Sequence, residues 1–174
     1  MTEPPLVLDT DLLSHFSCID RLDILEKLYA KKMVILDEVV EEINRREELG
    51  NRVQLCIDNS SMTRISMVAT SSEAVELARL RGEGRLGKGE AACMAYLKYN
   101  LGSLGSNNLS DIKKMTVEKN ITLITTEDVL YQALQKKIIT IEEAENVWAA
   151  IIAKGRKLPT KTFSERLSMH TSKD

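Results

Sequence analysis

Residues 6–16 read LVLDTDLLSHF, and this stretch sets the expectations for the rest of the chain. The apolar run LVL ends at Asp9, which is the pattern of a short buried strand that finishes in a carboxylate. The residues that follow, up to residue 32, have apolar side chains at helical spacing and predict two helical pieces. We therefore predict a strand and then helices at the start of the chain.

The same alternation continues downstream. Further strand candidates are residues 33–36 (MVIL), 66–68, 101–106 (LGSLGS, a weak candidate) and 121–126 (ITLITT). After the second strand we predict a helix that begins at an N-cap Asp37 and ends at a C-cap Gly50. Strands that alternate with helices indicate parallel strands joined by right-handed crossovers, with helices on both faces of the sheet.

The composition is that of an ordinary globular protein. The chain has 174 residues, which predicts one domain over residues 1–174 with enough apolar side chains for a core. Hydrophobic residues make up 43% and charged residues 29%, which argues against disorder. The net charge of −2 excludes a protein that coats nucleic acid through a basic surface, but it does not exclude an enzyme that meets RNA at a metal-containing acidic site.

The cysteines and the lack of targeting segments bear on the cellular compartment. Cys18, Cys56 and Cys93 are odd in number and match no zinc-binding spacing, so we expect reduced residues in or near the core. The sequence has no recognisable signal peptide and no apolar run of the roughly 20 residues that span a membrane. We therefore predict a cytoplasmic protein without a membrane partner.

Acidic side chains follow two of the predicted strands. Open parallel sheets place their functional sites beyond the carboxyl ends of the strands. Asp9 ends the first strand and Asp11 follows it, although Asp9 could equally serve as a helix N-cap. Glu41 and Glu42 lie on the helix after the second strand, where a solvated charged face is the plainer interpretation.

Two more polar clusters occur later in the chain. Glu90 lies where a glycine-rich turn enters a helix, and the helix dipole alone could explain a carboxylate there. Asn107, Asn108 and Asp111 follow the weak strand candidate, where capping of the next helix is the alternative.

Taken together, these segments resemble the PIN-domain family. The resemblance covers roughly residues 6–137, and the segments that carry it are VLDTDLLSHF (7–16), ILDEVVEEI (35–43), GRLGKGEAACMAY (84–96), GSNNLSDIKKM (105–115) and ITLITTEDVLYQAL (121–134). It implies a three-layer α/β/α sandwich around a parallel sheet. Beyond the resemblance, the residues themselves predict a C-terminal helix and a basic tail at residues 138–174. Members of the family are mostly Mg²⁺- or Mn²⁺-dependent ribonucleases, and many are the toxins of toxin–antitoxin pairs.

The resemblance also implies site residues and partners. Matched position by position, the catalytic acids are Asp9, Glu42 (with Glu41 as the rival), Glu90 and Asp111. The metal ligands are then Asp9, Glu90, Asp111 and the amide oxygen of Asn108. The expected partners are an RNA substrate, an antitoxin protein and a second copy of the chain.

The chemistry explains why carboxylates in this number are needed. Hard divalent cations prefer oxygen ligands, and they activate water and neutralise phosphate, so neither His15 nor His170 is required. The chain departs from the family where Asn107 and Asn108 replace a hydroxyl residue and an acid, because an amide contributes no negative charge.

Two other readings of the sequence remain at this point. The first is a PIN-fold interaction module with little or no catalysis, which the two asparagines motivate. The second is a phosphate-binding loop at residues 82–89, although the glycine spacing of a P-loop is absent.

Overall fold

The computed structural model describes residues 4–171, without the side chains of residues 109, 111, 170 and 171. Within that range the chain forms five strands and ten helices. In chain order they are β1 (Leu6–Leu8), α1 (Thr10–Ser17), α2 (Leu22–Tyr29), β2 (Met33–Leu36), α3 (Asp37–Ile43), α4 (Glu47–Asp58), β3 (Met62–Ile65), α5 (Ser72–Glu83), α6 (Lys88–Tyr99), β4 (Ser103–Gly105), α7 (Leu109–Glu118), β5 (Thr122–Ile124), α8 (Thr126–Gln135), α9 (Ile141–Ala153) and α10 (Phe163–Thr171).

The strands form one parallel sheet in the order β3-β2-β1-β4-β5. Every residue of β1 and β2 is buried, although successive side chains of a strand point to opposite faces. Both faces of the sheet centre are therefore covered, as expected where crossover helices pack on each side. The predicted α/β class with a parallel sheet is confirmed.

The chain changes direction between β1 and β4. From β1 it runs outward through β2 to β3, and it then returns to β4 on the other side of β1 and continues to β5. Leu8 pairs with Gly105 at the carboxyl ends of these two strands, and the Asp9 amide donates to the Gly105 carbonyl at 2.9 Å. A crevice opens at such a switch point, and the residues that follow β1 and β4 line it.

Helix α6 packs closely on this part of the sheet. It contacts β1, β2 and β4, and it also packs against α3 and α5. Ala91, Ala92 and Ala95 are fully buried on it, and such small side chains let a helix approach the strands. This close packing brings the first turn of α6 next to the carboxyl ends of β1 and β2.

The predicted helix from Asp37 to Gly50 is wrong as a single element. The chain forms α3 and then α4, Asp37 is the first helical residue rather than the cap, and Gly50 lies inside α4. A Cβ on Gly50 would lie 2.7 Å from the Asn44 side-chain oxygen, so this glycine permits a close contact instead of ending a helix.

The third strand and the tail also differ from the sequence prediction. The strand is β3, which precedes the predicted residues 66–68 and pairs with β2 from Met33 to Leu36. The segment predicted only as a basic tail contains α10, because Phe163 packs on Trp148 with ring centroids 5.6 Å apart and both side chains are buried.

Two further expectations concern the cysteines and the membrane. All three cysteines are free, with Cys56 and Cys93 buried and Cys18 partly buried. Among residues 4–171, no helix combines the length and the apolar character that crossing a bilayer requires.

Candidate functional site

An acidic cavity of about 200 Å³ lies at the carboxyl ends of β1 and β2, next to the crevice between β1 and β4. Its lining combines four carboxylates with two arginines and consists of Asp9, Thr10, Asp11, Ser14, Glu42, Arg46, Gly87, Glu90 and Arg156. Three of the four acids predicted from the sequence therefore line one cavity, and Asp11 joins them.

Asp9 is the most deeply buried of these carboxylates, with 2% of its surface exposed. Its Oδ1 accepts the Thr10 amide at 2.8 Å as the N-cap of α1, and its Oδ2 accepts the Ser106 hydroxyl at 3.3 Å. Burial, followed by the charges of Glu90 and Asp11, raises the pKa of Asp9 to about 7. Asp9 is therefore the N-cap of α1 and also lines the acidic cavity.

Asp11 projects one oxygen toward the segment after β4. Its Oδ2 accepts the backbone amide of Asn107 at 3.2 Å. Its Oδ1 is buried and, among the described residues, has no hydrogen-bond partner. Burial raises the pKa of Asp11, while the two hydrogen bonds from Asn107 and the charge of Arg156 oppose that rise.

The position of Glu42 separates it from its rival Glu41. Glu42 accepts the Thr10 hydroxyl at 2.7 Å and the Gly89 amide at 2.8 Å, so it ties α3 to α1 and α6. A Cβ on Gly89 would lie 2.7 Å from Glu42 Oε2, which makes a glycine necessary for this contact. Glu41 instead pairs with Lys88 at the surface.

Glu90 connects the first turn of α6 to the segment after β4. Its Oε2 accepts the amide of the N-cap residue Gly87 at 3.1 Å, and its Oε1 accepts the Asn108 side-chain amide at 2.6 Å. Asn108 precedes α7 but does not cap that helix with its side chain. The side chain of an N-cap residue usually accepts a hydrogen bond from an amide of its own helix, whereas that of Asn108 bonds to Glu90 instead. Such departures from local preference concentrate at functional sites.

The amides of the glycine-rich turn do not support the phosphate-loop interpretation. The Gly87 amide is bonded to Glu90 and the Gly89 amide to Glu42. Phosphate would have to displace a carboxylate from each amide and would meet like charge there.

The second polar cluster, beside the cavity, joins β4 to β5. The Asn107 side chain donates to the Thr126 hydroxyl at 2.9 Å and accepts the Thr126 amide at 2.8 Å. Nδ1 of the buried His15 lies 3.0 Å from the same hydroxyl. Burial, with a smaller contribution from Arg156, lowers the pKa of His15 to about 4, so this histidine is neutral at physiological pH and belongs to the support of the site.

The remaining predicted acid, Asp111, lies on the first turn of α7, but its side chain is outside the described residues, as is that of His170. Among the side chains that are described, no three of Asp, Glu, His or Cys are grouped so that they could hold a metal ion directly. The oxygens of Asp9, Glu42 and Glu90 are engaged by the neutral donors given above.

Arg156 lines the acidic cavity, but it is not among the site residues predicted from the sequence. Arg156 follows α9, where the Gly155 amide donates to Ile152 at 2.9 Å and the Arg156 amide donates to Ile151 at 3.2 Å. With Gly155 at φ +78°, this is a Schellman turn, which sends the chain from α9 toward the cavity. No local signal in the sequence links residue 156 to residue 9.

Comparison with known proteins bears on the whole chain. The sequence matches a family model described as a PIN domain over residues 5–172. No curated protein matches the chain.

Proposed function

The chain belongs to the PIN-domain family, and on this premise we propose that it is a metal-dependent endoribonuclease that hydrolyses RNA phosphodiester bonds. The PIN domain is a nuclease fold, so the proposal specifies the substrate, the reaction and the residues. One observation carries it: Asp9, Asp11, Glu42 and Glu90 line one cavity at the topological switch of the sheet. The catalytic set that we propose is Asp9, Glu42, Glu90 and Asp111.

The chemistry of the donors in the acidic cavity fits a hard divalent cation, Mg²⁺ or Mn²⁺, although in the arrangement described above no three of the described acids are grouped to hold one directly. All of its acidic donors are oxygens, the buried Oδ1 of Asp11 has no described partner, and the charges of Glu90 and Asp11 add to burial in raising the pKa of Asp9. A cation would relieve this repulsion. We propose Asp9, Asp11, Glu90 and Asp111 as its ligands, with the Asn108 amide oxygen as a neutral ligand.

When bound, the metal supplies a Lewis acid for the phosphate and a nucleophile from water. The chain's own contribution begins at Asp9, whose carboxyl still holds a proton for part of the time at neutral pH, because its pKa is about 7. That proton must leave before the carboxylate can bind a cation, so we expect metal binding to release protons and to strengthen as the pH rises.

Arg156 is the group that we propose for the substrate phosphate. Its guanidinium makes no side-chain hydrogen bond with any described residue, although it lies close enough to Asp11 to lower the pKa of that group. A guanidinium presents donors in a planar fork that matches two phosphate oxygens. An RNA backbone that reached the cavity would therefore find a cation beside the carboxylates.

The proposal is tested by Mn²⁺ calorimetry together with cleavage of a labelled single-stranded RNA. Glu42→Gln should reduce cleavage by at least about 100-fold, because Glu42 holds the Thr10 and Gly89 contacts that shape the cavity. Glu41→Gln is the matched control, since it removes the same charge from the neighbouring, surface-exposed position. A wild-type protein that binds Mn²⁺ without cleaving RNA, or equal cleavage by both variants, would contradict the proposal.

The interaction-module hypothesis has one specific observation in its favour. The Asn108 amide donates to Glu90, so in the metal-free protein an uncharged group already meets the acid that a metal would bind. If this arrangement persists, calorimetry on the wild-type protein will show no Mn²⁺ binding. Asn108→Asp should then create binding, because it adds the charge that the family pattern has nearby.

The finer expectations from the family remain proposals as well. We propose a cytoplasmic toxin with an antitoxin partner and a homodimer as its free form. Induced expression that arrests growth, and is relieved in Asp9→Asn, would support the toxin role. Light scattering on the purified protein measures the oligomeric state.

A further inference from the structure

A second cavity, of about 550 Å³, lies beside the acidic one. We call it the side cavity. It is enclosed by the carboxyl end of β5, the start of α8 and the loop after α9, through Leu123, Thr126, Lys157 and Leu158. The mechanism proposed above gives it no role.

Two connections join the side cavity to the acidic cavity. Asn107 lines the side cavity, while its backbone amide donates to Asp11 in the acidic cavity. Arg156 and Lys157 are consecutive residues, and the first lines the acidic cavity while the second lines the side cavity. A chain that occupied both cavities would therefore pass Asn107 and the Arg156–Lys157 peptide.

The loop that forms one wall is fixed at both of its ends. The Schellman turn holds Arg156 to Ile151, and the Trp148 indole N–H donates to the Thr160 carbonyl at 3.0 Å. Ile151 and Trp148 are both buried in the core. The side cavity is thus formed before any ligand arrives, which reduces the cost of ordering on binding.

Positive charge is in excess in the side cavity, which three cations and two acids line. Among the described residues, Lys113 and Lys157 have no ion pair and no side-chain hydrogen bond to another residue. Glu127 pairs with Arg166 at 2.5 Å, whereas Asp128 accepts the neutral Thr125 amide and hydroxyl, so the two lysines are opposed by one acid. A phosphate in this cavity would meet two cations without partners.

The cavity also offers an apolar surface. Leu123 and Leu158 are half-buried there, and Pro159 completes the patch. The side chain of Asn107 and the hydroxyl of Thr126 lie at the same wall. This apolar patch, the polar groups and the two lysines together fit a nucleotide, with its base on the leucines and its phosphate near the lysines.

We propose that the side cavity binds the nucleotide of single-stranded RNA next to the scissile phosphate and so influences where the chain is cut. This inference rests on the proposed ribonuclease function, and it adds the substrate form and the segment that selects it. Lys113 and Lys157 contact the flanking phosphate, and Leu158 contacts the base.

The test measures binding without cleavage. A fluorescein-labelled single-stranded RNA is titrated into the Asp9→Asn protein in EDTA, and anisotropy gives the Kd at several salt concentrations. Adding Lys157→Ala or Lys113→Ala should raise the Kd about five-fold and lower the slope of log Kd against log salt by about 0.7. Lys154→Ala is the matched control, because Lys154 is an exposed lysine of the same segment that does not line the side cavity.

The base contact has its own readout. Sequencing the products that the wild-type protein makes from a mixed RNA pool should reveal a base preference next to the cut, and Leu158→Ser should flatten it. The side-cavity proposal is overturned if all three lysine variants bind RNA equally, or if Leu158→Ser keeps the base preference. In that case, cleavage of RNA by the wild type still supports the ribonuclease function. If the wild-type protein neither cleaves nor binds RNA, both the ribonuclease proposal and the side-cavity proposal are contradicted.

Discussion

Replacing Asp9 with asparagine should stabilise the metal-free protein, and the gain should grow with pH. The carboxylate is 2% exposed and faces three other acids, while the isosteric amide can keep both of its hydrogen bonds. Asparagine would accept the Thr10 amide through Oδ1 and donate to the Ser106 hydroxyl through Nδ2. The substitution therefore removes a buried charge with little loss of packing.

The size of the effect follows from the pKa of Asp9, which rises from 3.8 to about 7 on folding. Because the native state binds its proton more tightly than the unfolded state does, the free energy of unfolding falls as the pH rises above about 4, and this fall ends once the pH passes about 7. With about 1.4 kcal/mol per pKa unit, the wild type should lose about 2.5 kcal/mol relative to Asp9→Asn between pH 5 and pH 7.5. For a chain of this length that is a difference in Tm of about 7 °C.

The assay is thermal and urea denaturation of both proteins in EDTA across this pH range. Glu41→Gln is the control, because it removes one charge from an exposed position near the same cavity and should follow the wild type. Mn²⁺ should then stabilise the wild type and not Asp9→Asn. A constant stability difference between wild type and Asp9→Asn from pH 5 to pH 7.5 would refute the burial and repulsion assigned to Asp9.

Three other variants examine the rest of the structure. Glu76→Gln should lower the free energy of unfolding by about 1–2 kcal/mol at pH 7, since Glu76 is 4% exposed and pairs with three cations. These cations hold the pKa of Glu76 well below its usual range, so in urea denaturation the loss should shrink as the pH falls below about 4.5. A loss that stays constant with pH would refute this. Gly89→Ala should lower the free energy of unfolding by about 1–3 kcal/mol, because its Cβ would meet Glu42, whereas Gly82→Ala, with open space around it, should cost nothing in the same denaturation series. Arg156→Ala should reduce kcat for RNA cleavage about 100-fold without weakening Mn²⁺ binding in calorimetry. If kcat and the affinity for Mn²⁺ fall together, Arg156 belongs to the metal site instead.

Local patterns in the sequence were sufficient to predict the centre of the sheet. The runs at residues 6–8 and 33–36 are short, apolar and followed by acids, and buried parallel strands have this pattern. Asp9 could be predicted as a site residue because the position after a central parallel strand faces the crevice, and this does not depend on how the helices pack. Glu42 required the family resemblance, since its helical pattern alone did not separate it from Glu41.

What the sequence could not predict depends on contacts between distant segments. A glycine after a polar run often ends a helix, so the sequence predicts a helix end at Gly50, yet this glycine lies inside α4 and fits against Asn44. Helix α10 lacks a strong apolar pattern of its own and is anchored by the contact between Phe163 and Trp148. Arg156 reaches the acidic cavity through the Schellman turn that ends α9. Within residues 154–156, only the glycine indicates that turn in the sequence.

The fixed loop after α9 has a consequence for how this protein can change. Glu42 and Glu90 are tied into helices that also hold the sheet, so substitutions there affect folding and chemistry together. Lys157 and Pro159 are exposed on this loop, and Leu158 packs only partly against the core, while the loop itself is held at both ends. None of the three lines the acidic cavity, so their side chains can be exchanged while the acids stay in place. Under the proposed function, these are the first positions to randomise in a search for a different cutting preference.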